Sequence, residues 1–402
     1  MMVPQLISRL IEDVSTEEIG IRRVYDPFMG SGTVLTESML AGLEFSGRDV
    51  NPLAVLLCKV KAGPFSLDTL NNSVDELICE IAIDQEKTIL TQLTNWRKWF
   101  TFNVAMWLSR ILRAIRGEHD LWTRRFFWVA LAETVRVTSN SRTSTFKLHI
   151  RSAEDLLTRD PKVFQIFAEI LTRNVKKLTD FTNLLRAKDL LKGNSYSEDI
   201  SLEYVTSKNT AAETQISDLL VTSPPYGDNT TTVPYGQHSY LPLHWIDLKD
   251  IDENIEEDIL STTRSIDNKS LGGSLKYDEN CPKLLYEKSE TLRNILDKLP
   301  KKPVALRNKV ISFYNDLNSS ILEILPRVAD NSTLIWIIGD RQVGQQLVPL
   351  SKILQELLTS HNCSPVTSIP RRIPSKRMAG RNNVASTMKA ETLLVMKSPK
   401  AS

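Results

Sequence analysis

Across residues 1–62 the apolar positions switch back and forth between helical and strand-like spacing. Leu6, Ile7, Leu10 and Ile11 share one face of a short amphipathic helix over residues 4–12, and Arg22-Arg23-Val24-Tyr25 reads as a strand behind it. A glycine-containing turn follows, then a helix over Thr33–Ala41 stopped by Gly42 and a second strand at Phe45–Asp49. Asn51-Pro52 opens the next helix, from Leu53 to Lys59. Strand, turn, helix, strand, helix is the order from which a doubly wound parallel sheet is built, so an α/β core is expected.

Residues 63–185 carry long helical periodicities and five of the seven tryptophans, Trp96, Trp99, Trp107, Trp122 and Trp128, and read as a helical insertion. The sheet pattern resumes in residues 186–247, with strands expected at Lys188–Ser195 and Ser217–Val221 as the third and fourth members. Residues 248–303 are polar and charged and contain Gly272-Gly273, the composition of a second insertion or mobile loop. Residues 304–402 return to the core through a helix over Val304–Ile324, a strand at Thr333–Ile338, a helix over Leu347–Leu358 and a last strand at Glu391–Met396. A chain of 402 residues exceeds one ordinary domain, which suits a catalytic core interrupted by insertions.

Composition narrows the picture mainly by exclusion. With 41% hydrophobic and 24% charged residues the chain is that of an ordinary folded protein, not a disordered one. The formal net charge is only +2, so any nucleic-acid surface must come from local clustering of Lys and Arg. Cys58, Cys79, Cys281 and Cys363 are widely spaced with no CxxC pair, which points to reduced thiols in a cytoplasmic protein and to no metal site. No run of about 18 apolar residues and no basic-then-apolar leader occurs, so neither a membrane span nor an export signal is expected.

Two distant segments carry the chemistry. The first strand runs into Asp26-Pro27-Phe28-Met29-Gly30-Ser31-Gly32-Thr33, where Gly30 and Gly32 permit positive φ and bring bare backbone close to a ligand. The helix that follows offers free N–H groups at its start. The loop is shorter than GxGxxG and begins with an acid, which suits an amino or sulfonium cation better than a phosphate. Asp49, ending the second strand, is placed to accept hydrogen bonds from ribose hydroxyls, and Asn194, ending the expected third strand, could meet a purine edge. The other segment, Ser223-Pro224-Pro225-Tyr226, follows the apolar run Leu219–Thr222. Two consecutive prolines fix the backbone, so that the Ser223 hydroxyl and the Pro224 carbonyl are pre-aimed acceptors for a planar amino group. Tyr226 adds an aromatic face for a base rotated out of a duplex.

Together these segments resemble the signature of S-adenosylmethionine-dependent DNA amino-methyltransferases. The resemblance covers residues 1–60, 186–247 and roughly 304–402, with the cofactor motif before the catalytic one and a large insert between them, as in the alpha group. It implies a Rossmann-like methyltransferase sheet. It also implies that Asp26, Phe28, Gly30, Gly32 and Thr33 line the methionine end of the donor, and that Gly227–Tyr240, with Tyr235 and His238, forms a loop over the flipped base. The Ser-Pro-Pro-Tyr form is most often associated with N4-cytosine enzymes, and some N6-adenine enzymes share it. The implied partners are double-stranded DNA and, in a restriction-modification or defence system, a cognate restriction endonuclease.

Arg113, Arg116, Arg124, Arg125, Arg136 and Arg142 recur through the helical insertion, with Lys147 nearby, and Arg371, Arg372, Lys376, Arg377 and Arg381 cluster before the final strand. The second cluster, uninterrupted by acids, is the stronger candidate for binding DNA phosphates. Two other readings stay open, an RNA guanosine-N2 methyltransferase and a non-catalytic nucleic-acid-binding subunit. A carbon-methylating enzyme would need a thiolate, and Cys281-Pro282 lies in the polar insertion, away from a strand tip.

Overall fold

The structure, a computed structural model, describes residues 2–205, 215–227, 233–273, 281–299, 304–343, 346–372 and 390–400. Seven strands form one sheet: β1 (Arg23–Asp26), β2 (Glu44–Asp49), β3 (Ile200–Tyr204), β4 (Ser217–Thr222), β5 (Val328–Ile338), β6 (Ser364–Arg372) and β7 (Ala390–Lys397). Their order across the sheet is β6-β7-β5-β4-β1-β2-β3. All neighbours from β5 to β3 run parallel, and β7 lies antiparallel between β5 and β6. The chain starts in the middle, at β1, and winds outward in both directions, so the strand order reverses between β1 and β4. Ligands of open α/β sheets bind beyond the carboxyl ends of the strands at such a point.

The central strands are apolar without alternation because both faces are covered. Arg23–Asp26 is buried throughout, as are Leu219–Thr222 and Ser332–Ile338. The edge strand β6 is exposed along its length, carries Pro365 and Pro370 and is bulged near Pro365, the features that keep a free edge from pairing with another chain.

By its internal contacts the chain divides into two compact units: residues 1–50, 200–234 and 267–402, which hold the sheet, and residues 51–199 and 235–266, which are mainly helical. The helix Pro52–Lys61, expected with the core, belongs to the helical unit: the Trp122 indole donates to the Val60 carbonyl at 3.1 Å and Lys59 pairs with Asp252 at 3.1 Å. Asp250 ties residues 248–252 to the same unit. Its carboxylate takes a two-pronged bond from Arg124, at 2.6 and 2.8 Å, and one from the Trp128 indole at 2.8 Å. The tryptophans are mostly core, with Trp99, Trp122 and Trp128 buried.

Several sequence expectations are corrected. Lys188–Ser195 is not a sheet strand. Leu191–Lys192 and Ser195–Tyr196 make a separate hairpin within the helical unit, and the third position of the sheet is taken by Ile200–Tyr204. The segment before the final strand is not loop through its whole length, since Arg371 and Arg372 close β6. Residues 281–299 are not a mobile loop either: helices at Cys281–Lys288 and Glu290–Lys298 bury Leu285, Leu292, Ile295 and Leu296 in the sheet's own core. Their apolar residues are sparse enough that the polar majority masks a helical stripe. Residues 347–349 lie outside the helix that follows, which runs Leu350–Ser360, because Gln346–Val348 pairs with Arg341–Val343. Among the described residues no helix is long and apolar enough to cross a membrane.

Candidate active site

Strands β1 and β4 are parallel neighbours, with Val24 opposite Leu219 and Tyr25 opposite Leu220, so Asp26 and Thr222 leave the sheet side by side. The Thr222 hydroxyl donates to Asp26 Oδ1 at 2.6 Å, and the Phe28 backbone N–H donates to the same oxygen at 3.0 Å. That bond fastens the start of the glycine loop to the residue just before Ser223. Phe28 and Tyr226 are both half-buried against the same hydrophobic cluster of the sheet unit.

The loop itself folds back over β2. Met29 N–H donates to the Arg48 carbonyl at 3.1 Å and Gly30 N–H to Asp49 Oδ2 at 2.9 Å. Gly30 and Gly32 hold φ of 50° and 75°, the left-handed region that costs an ordinary residue energy and glycine little. Gly32 caps the helix Thr33–Leu40, whose first N–H groups are not covered by a capping side chain.

Asp26 is fully buried, and its Oδ2 has no hydrogen-bond partner among the described residues. Burial pushes its carboxyl up to about 7, opposed by the bonds from Thr222 and Phe28 and assisted by the charge of Asp49. A buried acceptor without a donor, a second carboxylate beside it and an open helix start together form a place that favours a cationic, hydrogen-bond-donating group.

At the end of β4, Pro224 is buried and Ser223, Pro225 and Tyr226 are half-buried. Sequence reasoning missed what holds Tyr226. Its hydroxyl donates to Glu391 Oε1 at 3.2 Å, and the Ser223 hydroxyl lies 3.4 Å from the same phenol oxygen. Glu391 in turn pairs through Oε2 with Arg371 at 3.5 Å. Arg371, expected at a DNA surface, is therefore engaged beside the Ser-Pro-Pro-Tyr segment, because β6 and β7 put it directly opposite Glu391. Arg341, just past β5, was missed as well: its guanidinium lies against Gly227, where any added Cβ would overlap it. Only the pairing of strands far apart in sequence brings these groups to Tyr226.

Other expected residues fall elsewhere. Asn194 lies in the helical-unit hairpin, where its carbonyl accepts the Phe65 N–H at 2.7 Å, so it does not end a sheet strand; Tyr204, opposite Asp49, ends β3. Tyr235 and His238 are in a helix, Tyr235–Leu243, and not in a loop. Burial, with the charge of Arg136 adding to it, holds the His238 imidazole down at about 4. Arg372 sits on the exposed edge strand, whereas Lys376, Arg377 and Arg381 lie outside the described residues.

A doubly wound sheet with an antiparallel strand next to its edge, an acid-led glycine loop after β1 and an acid after β2 define a Rossmann-like S-adenosylmethionine-dependent methyltransferase. S-adenosylmethionine is accordingly the methyl donor. The chain belongs to the type II methyltransferases: it is 33% identical, over an alignment of 422 residues, to the type II methyltransferase M.MvaI of Kocuria varians, spanning 99% of this chain and 89% of that protein. No protein-family profile matches. The rRNA methyltransferase AviRa of Streptomyces viridochromogenes aligns over 98% of this chain and 85% of its own. At 10% identity and a TM-score of 0.29, that likeness carries no argument.

Proposed function

We propose that this chain methylates the exocyclic N4 of cytosine in double-stranded DNA, as the modifying partner of a restriction endonuclease that cuts the same site. The observation that carries the reading is the Thr222–Asp26 hydrogen bond, which joins the Ser-Pro-Pro-Tyr segment to the glycine loop at one edge of the sheet. The type II relationship favours DNA as the substrate, and the serine at the head of the segment favours cytosine.

The residues present fit the donor. Asp26 Oδ2 would accept from its ammonium, Asp49 from its ribose hydroxyls, and the start of the helix after Gly32 would meet its carboxylate. When bound, S-adenosylmethionine supplies an electrophilic methyl carbon whose sulfur keeps the bonding electron pair on displacement.

The protein's part is to make a poor nucleophile attack. An exocyclic amine donates its lone pair into the ring, and acceptors that draw its protons out of the ring plane return that pair to nitrogen. The Pro224 carbonyl and the Ser223 oxygen are those acceptors. The two prolines hold the carbonyl without reorganisation, and Tyr226 gives the extruded base a face to stack on. As the N–C bond forms, the nitrogen sheds one proton to water. Rate enhancement comes from alignment, with no covalent enzyme intermediate.

The reading is tested by expressing the chain in a host devoid of DNA methylation and analysing its nucleosides by mass spectrometry. N4-methylcytosine at a defined site is expected. N6-methyladenine would transfer the same site to the other base, and unmodified DNA with methylated RNA would overturn it.

A further inference from the structure

The arginines that recur through the helical unit are not equivalent. Arg113 pairs with Asp84 at 2.8 Å, Arg116 with Asp247 at 2.5 Å, and Arg124 with Asp250, while Arg125 donates to the Asp250 carbonyl. These side chains are occupied in holding the unit together. Arg136, Arg142 and Lys147 are different: none has a carboxylate partner among the described residues, and all three line one small concavity that no acidic residue enters.

The pocket is held in shape by its backbone. Arg136 projects from the last turn of the helix Leu121–Thr138, and the loop bearing Arg142 and Lys147 is closed by Arg142 N–H to the His149 carbonyl at 2.8 Å and Arg151 N–H to the Asn140 carbonyl at 3.0 Å. Phe146, which lines the pocket, is 44% exposed, and Tyr235, 46% exposed, packs against it with ring centres 5.9 Å apart. The ring of Phe146 also lies 5.3 Å from His238. His238, kept neutral, adds no charge, so the three cations set the sign of the site.

Unpaired cations gathered in a concavity cost stability through mutual repulsion unless an anion is to be received, and exposed aromatic rings beside them match the flat face of a base or the apolar face of a sugar. We propose that this pocket receives a backbone phosphate of the substrate DNA on Arg136, Arg142 and Lys147, with Phe146 and Tyr235 against the adjoining nucleoside. The proposal rests on the DNA reading above. Such an anchor contributes affinity without reading sequence.

The test is equilibrium binding of the full chain to fluorescent duplexes across a range of salt, comparing wild type with the triple variant R136Q/R142Q/K147Q. Losing this one phosphate contact is expected to lower the slope of log affinity against log salt by about 1, with two unrelated duplexes weakened by the same factor. An unchanged slope overturns the pocket. Arg142 and Lys147 are exposed, so R142Q/K147Q keeps the question answerable if the triple variant does not fold, with the slope again expected to fall, by up to about 1. Wild type that binds and methylates DNA while the variants keep its slope sinks the pocket alone. Wild type that binds no duplex sinks both readings.

Discussion

Burial of Asp26 gives the proposed donor site a pH window. An ordinary aspartate ionises near 3.8, whereas this one keeps its proton to about 7, so between those values the folded chain binds a proton that the unfolded chain has lost. Its contribution to stability is therefore greatest below 3.8 and declines as pH rises toward 7. A donor ammonium needs the ionised form, so donor affinity is expected to rise by roughly tenfold per pH unit below 7 and then to level off. Calorimetric titration with S-adenosylmethionine checks this: Asp26→Asn should bind weakly with a flat pH profile, and an unaltered slope would remove Asp26 from the donor's ammonium. At the catalytic segment, Ser223→Ala and Tyr226→Ala should abolish transfer while leaving donor binding largely intact. On the proposed reading Glu391 is a positioning residue, since it would act on the base only through Tyr226. Glu391→Ala should lower kcat by about 10- to 100-fold with little change in donor affinity, and Glu391→Gln, which still accepts a hydrogen bond, should recover most of it. Equal loss in both variants would mean that the carboxylate serves only the fold.

Among the elements, the strands were legible where burial on both faces makes an uninterrupted apolar run, as in β4 and β5, and where a glycine loop marks a strand's end, as after β1. They were not legible at the edges. β3, Ile-Ser-Leu-Glu-Tyr, alternates but is only five residues long and half-buried throughout, and β6 has two prolines. Thus the third strand was sought in Lys188–Ser195 and Asn194 was assigned to the wrong terminus. Asp26, Asp49 and Ser223 stand out as candidates in the sequence because each ends or follows a recognisable strand. Glu391 could not, because its role depends on which distant strand lies beside β5. The helical unit depends on Asp250 in the same non-local way. This largely buried carboxylate answers Arg124 and the Trp128 indole together, and removing it leaves the indole without an acceptor and Arg124 with only the Glu118 carbonyl. Asp250→Ala should destabilise the protein by about 3 kcal/mol, measured by denaturant titration. A loss below about 1 kcal/mol would class the cluster with ordinary surface ion pairs.

On the scale of the whole molecule, the chain passes between its two units at residues 50/51, 199/200, 234/235 and 266/267. The helical unit is thus an insertion in two pieces, and no contiguous fragment contains either unit alone. Ends of the sheet unit that are remote in sequence meet: Lys397 pairs with Glu18 at 2.6 Å, and Glu18 also accepts the Thr333 hydroxyl. β7 comes after every other strand in the chain, yet it occupies an interior place between β5 and β6. While the polypeptide is still being synthesised, β5 must wait with one side bare and β6 with no neighbour, and Tyr226 lacks the carboxylate that holds it. A chain truncated anywhere upstream of this strand is therefore expected neither to close its sheet nor to hold Tyr226 on Glu391.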